Sequence, residues 1–152
     1  MREVSTVQTK SENPAKAFLK KYRAMMQRRE SLQRAIDEAY DRATSCTQRL
    51  KAVQVTSSGT GDRLAEDVIK IADSTEQLKE VIQGIDRELQ DILRAIDSVG
   101  DEMQKTVLTL RYIEGLDWLK ISECTGYETA NVYKLHGRGL WHVEKYLLSK
   151  SA

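Results

Sequence analysis

One proline in the chain, Pro14, leaves almost no position at which a helix is forced to break. One phenylalanine and six tyrosines are few aromatics for strands that would have to cover a sheet, while charged residues make up 31% of the chain. That profile favours long helices over sheets. No apolar run approaches the roughly 18 residues that would suggest a membrane span. The N-terminal MREVSTVQTKSENP carries no apolar signal-peptide core, so residues 1–14 are expected to be a disordered tail. The two cysteines, Cys46 and Cys124, stand alone and form no metal or redox motif. Both read as small core residues of a reduced, cytoplasmic protein. Paired catalytic carboxylates on a loop, a nucleophile elbow and a metal-ligand cluster are likewise not found. Enzymatic activity, a cofactor and a bound metal are therefore not expected.

Charge is present but unevenly placed. The net charge is +1 over 152 residues, yet residues 1–34 hold nine basic and three acidic side chains. Residues 62–102 hold five basic and twelve acidic ones. A basic and an acidic segment in one chain suggest intramolecular pairing, with nucleic-acid binding as the competing use of the basic one.

The apolar spacing supports pairing. Steps of four and three from Phe18 reach Tyr22, Met25, Arg29, Leu32, Ile36, Ala39, Ala43, Cys46, Leu50 and Val53. The same steps from Leu64 reach Val68, Ile71, Thr75, Leu78, Ile82, Ile85, Leu89, Ile92, Ile96 and Val99. The average step of 3.5 is the period of a left-handed coiled coil. QVTSSGTGD, residues 54–62, lies between the runs and is rich in turn formers. The spacing predicts an antiparallel helical hairpin over 15–100 with its loop at 54–62. Val53 would then face Leu64 and Phe18 would face Val99. Arg29 would fall opposite Leu89 and reach toward Glu88 or Asp86. The same seams could instead join two chains. GTGD is not a phosphate loop, because it lacks the Lys-Ser/Thr ending and a preceding strand.

The pattern changes at Asp101. DEMQKTVLTLRYIEG places Met103, Val107, Leu110 and Tyr112 or Ile113 on one helical face, with Gly115 as a stop. Asp117 is a candidate N-cap for WLKISECT, and Gly126 closes that short helix. ETANVYKLHGRGLWHVEKYLLSK then repeats the apolar signal at Val132, Leu135, Leu140, Val143 and Leu147. A helix, a short helix, a glycine turn and a longer helix give a helix-turn-helix over 101–152. Gly139 falls on the packing side of the last helix, where a crossing neighbour would tolerate only a small residue. Gly137 falls away from that side: it is either a weak spot or a place where the helix comes close to a phosphate backbone. His136 lies on the packing face with Val132 and is read as a satisfied core residue, and Trp118 likewise as packing.

VLTLRYIEGLDWLKISECTGYETANVYKLHGRGL resembles region four of the housekeeping sigma factors. More closely, it resembles the ArpU/RinA-type late-gene transcription regulators of phages and prophages. LRYIEG, DWLKI, TGY and VYKLHGRGL carry the likeness, and SSGTGDRLAEDVIKIAD extends it upstream. The resemblance implies sequence-specific binding of double-stranded DNA and control of phage late genes. It implies that DNA is read by Thr129, Ala130, Asn131, Tyr133 and Lys134, with Arg138 on phosphate. Asn131 suits the edge of adenine, and Lys134 suits guanine or phosphate. Glu128 stands where the motif usually has a serine or threonine cap, and Thr125 where it usually has an apolar residue. With seven basic and five acidic residues in 103–152, one motif has few charges for phosphate. A second copy of the chain or RNA polymerase is therefore expected as a further partner. The alternatives are a phage packaging or assembly component that binds the viral genome, and a coiled-coil interaction protein without DNA binding.

Overall fold

The computed structural model describes residues 12–52 and 60–152. Among the described residues the fold is all-α, with five helices in chain order. They are α1 Pro14–Ala52, α2 Thr60–Asp97, α3 Glu102–Tyr112, α4 Trp118–Thr125 and α5 Thr129–Lys150. No described helix is long and apolar enough to cross a membrane.

The expected tail ends earlier than residue 14. Asn13 caps α1: its side-chain oxygen accepts from Ala15 N at 2.9 Å and from Lys16 N at 3.3 Å. Pro14 then occupies the first helical position, where a missing N–H costs nothing and φ is already set. Residues 1–11 of that expectation lie outside the described residues.

The long helices pair, as their spacing predicts. They are antiparallel, since Met25 of α1 meets Gly84 of α2, whereas Arg42 meets Asp67. A Cβ on Gly84 would lie 2.7 Å from Met25 Cε. The Arg42 guanidinium lies 3.4 Å from the Asp67 carboxylate. Their register differs from the prediction. In each of these pairs the residue numbers (25 and 84, 42 and 67) add to 109, whereas the predicted pairs add to 117 or 118. The slip is about one heptad. Thr60, Gly61 and Asp62, assigned to the loop, form the first turn of α2. α2 thus starts three residues earlier than the spacing predicts. A one-heptad slip keeps apolar residues opposite apolar residues, so nothing in the seam opposes it. In the new register Arg29 is level with the Glu80–Val81 turn; it is exposed and pairs with neither Glu88 nor Asp86. Val53, the Leu50 and Cys46 side chains and the centre of the loop lie outside the described residues.

The chain forms two compact units, and their boundary differs from the one predicted at residue 100. One unit is Tyr22–Gln90. The other joins the residues up to Lys21 with Asp91–Ala152. The reason is visible in burial. Ala15, Leu19, Ile92, Ala95, Ile96 and Val99 are almost completely buried, as are Val107, Leu108, Ile121, Val132 and Val143. The first and last turns of the long pair therefore belong to the same core as α3, α4 and α5. In Tyr22–Gln90 burial is thinner: Ala39, Val81 and Ile85 are buried, and the seam residues Val68 and Ile82 are exposed.

An excised 101–152 fragment lacks six buried side chains of its own core. It is expected to melt in urea well below the full chain, with little near-ultraviolet circular dichroism. Leu19→Ala, more than 80 residues upstream of α3, should cost the C-terminal unit about 2–5 kcal/mol, the usual cost of truncating a fully buried leucine. A cooperative fragment as stable as the full chain would show that the unit boundary lies at 100 after all.

Candidate nucleic-acid interface

Each helix of the C-terminal unit starts and stops on a local signal. Asp101 caps α3 through Gln104 N at 2.8 Å. Gly115, at φ 74°, takes the left-handed conformation that lets the chain turn after α3. Asp117 caps α4 through Lys120 N at 2.8 Å. Gly126, also left-handed at φ 73°, ends it, its N–H returning to Ser122 O. The turn into α5 is three residues long and pinned by side chains. Ser122 Oγ donates to Tyr127 O, and Thr125 Oγ1 donates to Ile121 O. Thr125 therefore does not loosen the motif by replacing an apolar residue; its hydroxyl is satisfied within α4. Glu128 is the N-cap residue of α5, but its side chain makes no capping bond. The helix starts at Thr129, directly after that residue. Cys124 is exposed on α4, contrary to its reading as a core residue.

The inner face of α5 is fully engaged. Val132 packs with Val107 and Ile121 as a small core, and Leu110, Leu116, Trp118 and Leu135 close around it. Gly139 faces Leu108: an added Cβ would lie 3.0 Å from Cδ1 and 3.2 Å from Cγ. The crossing that this glycine predicts is there. His136 and Tyr112 share a hydrogen bond of 2.8 Å between ring nitrogen Nε2 and hydroxyl. Trp118 meets His136 edge-on at 4.7 Å. His136 is thus a packed and satisfied residue, not a ligand. Among the described residues no group of three or more His, Cys, Asp or Glu could hold a metal ion. Burial, with Lys16 and Arg111 adding to it, pushes the His136 imidazole down to about 4. Burial also pushes the Tyr112 phenol up to about 12.

The outer face of α5 carries the residues proposed to read DNA. Ala130, Asn131, Tyr133, Lys134 and Arg138 are exposed, and Thr129 is half-buried in the first turn. Asn131, Lys134 and Arg138 are three, then four, residues apart and so line one side of the helix. Among the described residues none of these three side chains has a hydrogen-bond or ion-pair partner. Gly137 lies beside this line, and a Cβ there would meet nothing within 4 Å. Tyr133 is set differently. Its ring packs on Trp118 at 4.8 Å, which holds it at the edge beside α4. The spacing gave no sign of what steadies that edge: Arg111 stacks over Trp118 at 4.4 Å and donates to Leu116 O at 2.9 Å. Arg111 is therefore part of the scaffold. Lys120 pairs with Glu123 within α4 at 3.3 Å.

Comparison with protein-family profiles, curated proteins and solved structures finds no match for this chain.

The two buried titratable groups set opposite ends of a stability window. His136 is neutral when folded, and its pKa lies below the unfolded value of 6.5. The unfolded chain therefore binds the proton first. Stability from this group is complete above pH 6.5 and is lost as pH falls toward 4. Tyr112 has its pKa raised above 10, so its contribution holds below pH 10 and is lost as pH rises toward 12. Urea unfolding across pH should show both slopes, and His136→Phe should flatten the acid one. An unchanged acid slope in that variant would locate the sensitivity elsewhere.

Proposed function

We propose that this chain is a sequence-specific, double-stranded DNA-binding transcription regulator of the phage late-gene type, acting in the cytoplasm. α5 enters the major groove, with α4 behind it. The observation that carries the reading is the outer face of α5: an amide and two cations in line, free of other partners, on a helix whose opposite face is locked in a core. Asn131 offers the donor–acceptor pair that matches adenine, and Lys134 offers donors to guanine or phosphate. Arg138 is placed a turn later, where backbone contact fixes position rather than sequence. Thr129 and Ala130 open the helix at the groove, and Tyr133 flanks it. Gly137 leaves the helix surface bare beside Lys134, which permits close approach to a sugar-phosphate strand. RNA polymerase is the partner that the sigma-like character of the motif supplies for activation.

Genomic footprinting on the phage DNA that carries the gene tests the reading, since it separates a promoter-proximal site from a packaging site. With that site in hand, Asn131→Ala should weaken binding by about 1–3 kcal/mol and relax preference at a single base pair. Arg138→Ala should weaken every sequence alike and reduce the salt slope by about one. Unchanged binding of Asn131→Ala to its preferred site would mean that α5 is read in another register.

Gly137→Ala separates close approach from a mere weak spot. Open space and helical backbone predict a gain in stability of up to about 1 kcal/mol. Close approach to phosphate predicts a loss of DNA affinity in the same protein. A variant that is more stable and binds DNA as well as before would mean that Gly137 has no role at the strand.

A further inference from the structure

The unit Tyr22–Gln90 is a two-helix pair with one closed edge and one open edge. Arg42 and Asp67 bridge the two helices along one edge of the seam. The other edge is apolar and uncovered: Tyr40 is 63% exposed, Val68 55% and Ile82 46%. Helical geometry puts these three on the same side. Residues on a helix advance about 100° each. Tyr40 follows the buried Ala39, Ile82 follows the buried Val81, and Val68 follows Asp67, whose side chain faces the seam. Because the helices are antiparallel, one step forward from the seam leads to the same face of the pair on both. On α1, Ile36 lies one turn before Tyr40, and heptad steps from it lead to Arg29 and Tyr22; on α2, a heptad step from Val68 leads to Thr75.

We infer that a second copy of this chain packs its own open face on this one, turning two helical pairs into a four-helix bundle. Size supports it. From Tyr22 to Tyr40 the face is about 27 Å long, and two helices are about 20 Å wide. That is about 550 Å² on each copy and about 1,100 Å² in all, just above the lower limit for a specific interface. Charge selects the arrangement. Residues 22–52 of α1 hold seven basic and four acidic side chains, and residues 60–90 of α2 hold four basic and eight acidic. A two-fold axis across the helices would lay α1 on α1 and α2 on α2, like charge on like. An axis along the helices lays each α1 on the partner's α2. The second arrangement is the one inferred, and in it all neighbouring helices are antiparallel, as in an up-and-down bundle.

The inference is independent of the DNA reading, because it is tested without nucleic acid. Light scattering on the full chain at micromolar concentration should give twice the 17.3 kDa of one chain. Tyr40→Glu, and separately Val68→Lys with Ile82→Lys, should return the mass to one chain at undiminished helical circular dichroism, since these positions are exposed in the single chain. The arrangement is read by disulfide formation in a Cys46→Ser, Cys124→Ser background. A chain carrying Tyr40→Cys should link to one carrying Val68→Cys, and neither should link efficiently to itself. A monomer at all concentrations, a dimer indifferent to both sets of substitutions, or preferred Tyr40→Cys self-linking would overturn the proposal. Loss of helicity in both sets would overturn it too, because the face would then be part of the single chain's own core.

Discussion

Leu108 of α3 lies in the notch left by Gly139, and this fit decides which side of α5 faces inward. Any larger residue at 139 would bring a carbon to within about 3 Å of a leucine that is fully buried. With the crossing set there, Val132 comes to lie against Val107 and Ile121, and His136 meets the Tyr112 hydroxyl. The outward residues follow from the same constraint: a helix cannot turn Asn131 or Lys134 inward without turning Val132 and His136 out. The proposed reading face is thus a consequence of packing on the opposite side. On the inner side His136 and Tyr112 satisfy each other.

The first turns of α1 and the last turns of α2 are part of this core. Ala15 and Leu19 on α1, with Ile92, Ala95, Ile96 and Val99 on α2, belong to the same compact unit as the motif. Beyond them the pair has little to bury. Two facing helices leave each half of their seam open to solvent on both edges, and an ion pair such as Arg42–Asp67 covers only one of these. Between exposed partners such a pair adds at most about 1 kcal/mol. The remaining apolar edge is the weakest feature of the fold if the chain is alone.

What was legible in the sequence was local. Asp101, Asp117 and Gly126 act within one turn of themselves, so the ends of α3 and α4 follow from residue type and position. The pairing of α1 with α2 was legible because a 3.5-residue repeat has few other uses. Its register was not, because a heptad repeat looks the same after a slip of seven. The tip did not resolve it, because Thr60–Asp62 can serve either as loop or as a helix start. The boundary between units was hidden for a similar reason. Val99 occupies an ordinary seam position and Leu19 stands next to one, and nothing in their identity says that they belong to the core of α3–α5. Cys124 was misplaced because cysteine is usually buried, yet position 124 falls on the outer side of a two-turn helix. In the candidate site, spacing separated inner from outer residues on α5, but it could not show Tyr133 resting on Trp118 or Arg111 stacked behind it.

Arg111 is where the charge argument turns. The C-terminal unit carries seven basic residues from 103 onward, which looks sufficient for a DNA backbone. Geometry removes several of them. Arg111 is held over Trp118 and on the Leu116 carbonyl, Lys105 pairs with Glu102, and Lys120 pairs with Glu123. Near the far end of α5, Lys145 lies 3.7 Å from the centre of the Trp141 ring and Lys150 lies 5.4 Å from that of Tyr146. Lys134 and Arg138 are left as the uncommitted cations beside Asn131. Two to four phosphate contacts give a binding constant that falls only gently with salt, with a slope of roughly −2 to −4, and one that is small at physiological ionic strength. Specific occupancy by such a motif therefore needs a second set of contacts. A second copy, joined through the open face of the long pair, would double them without any change to α5. The apolar edge that leaves the single chain under-covered and the scarcity of free charge on the proposed reading helix would thus be answered by the same event.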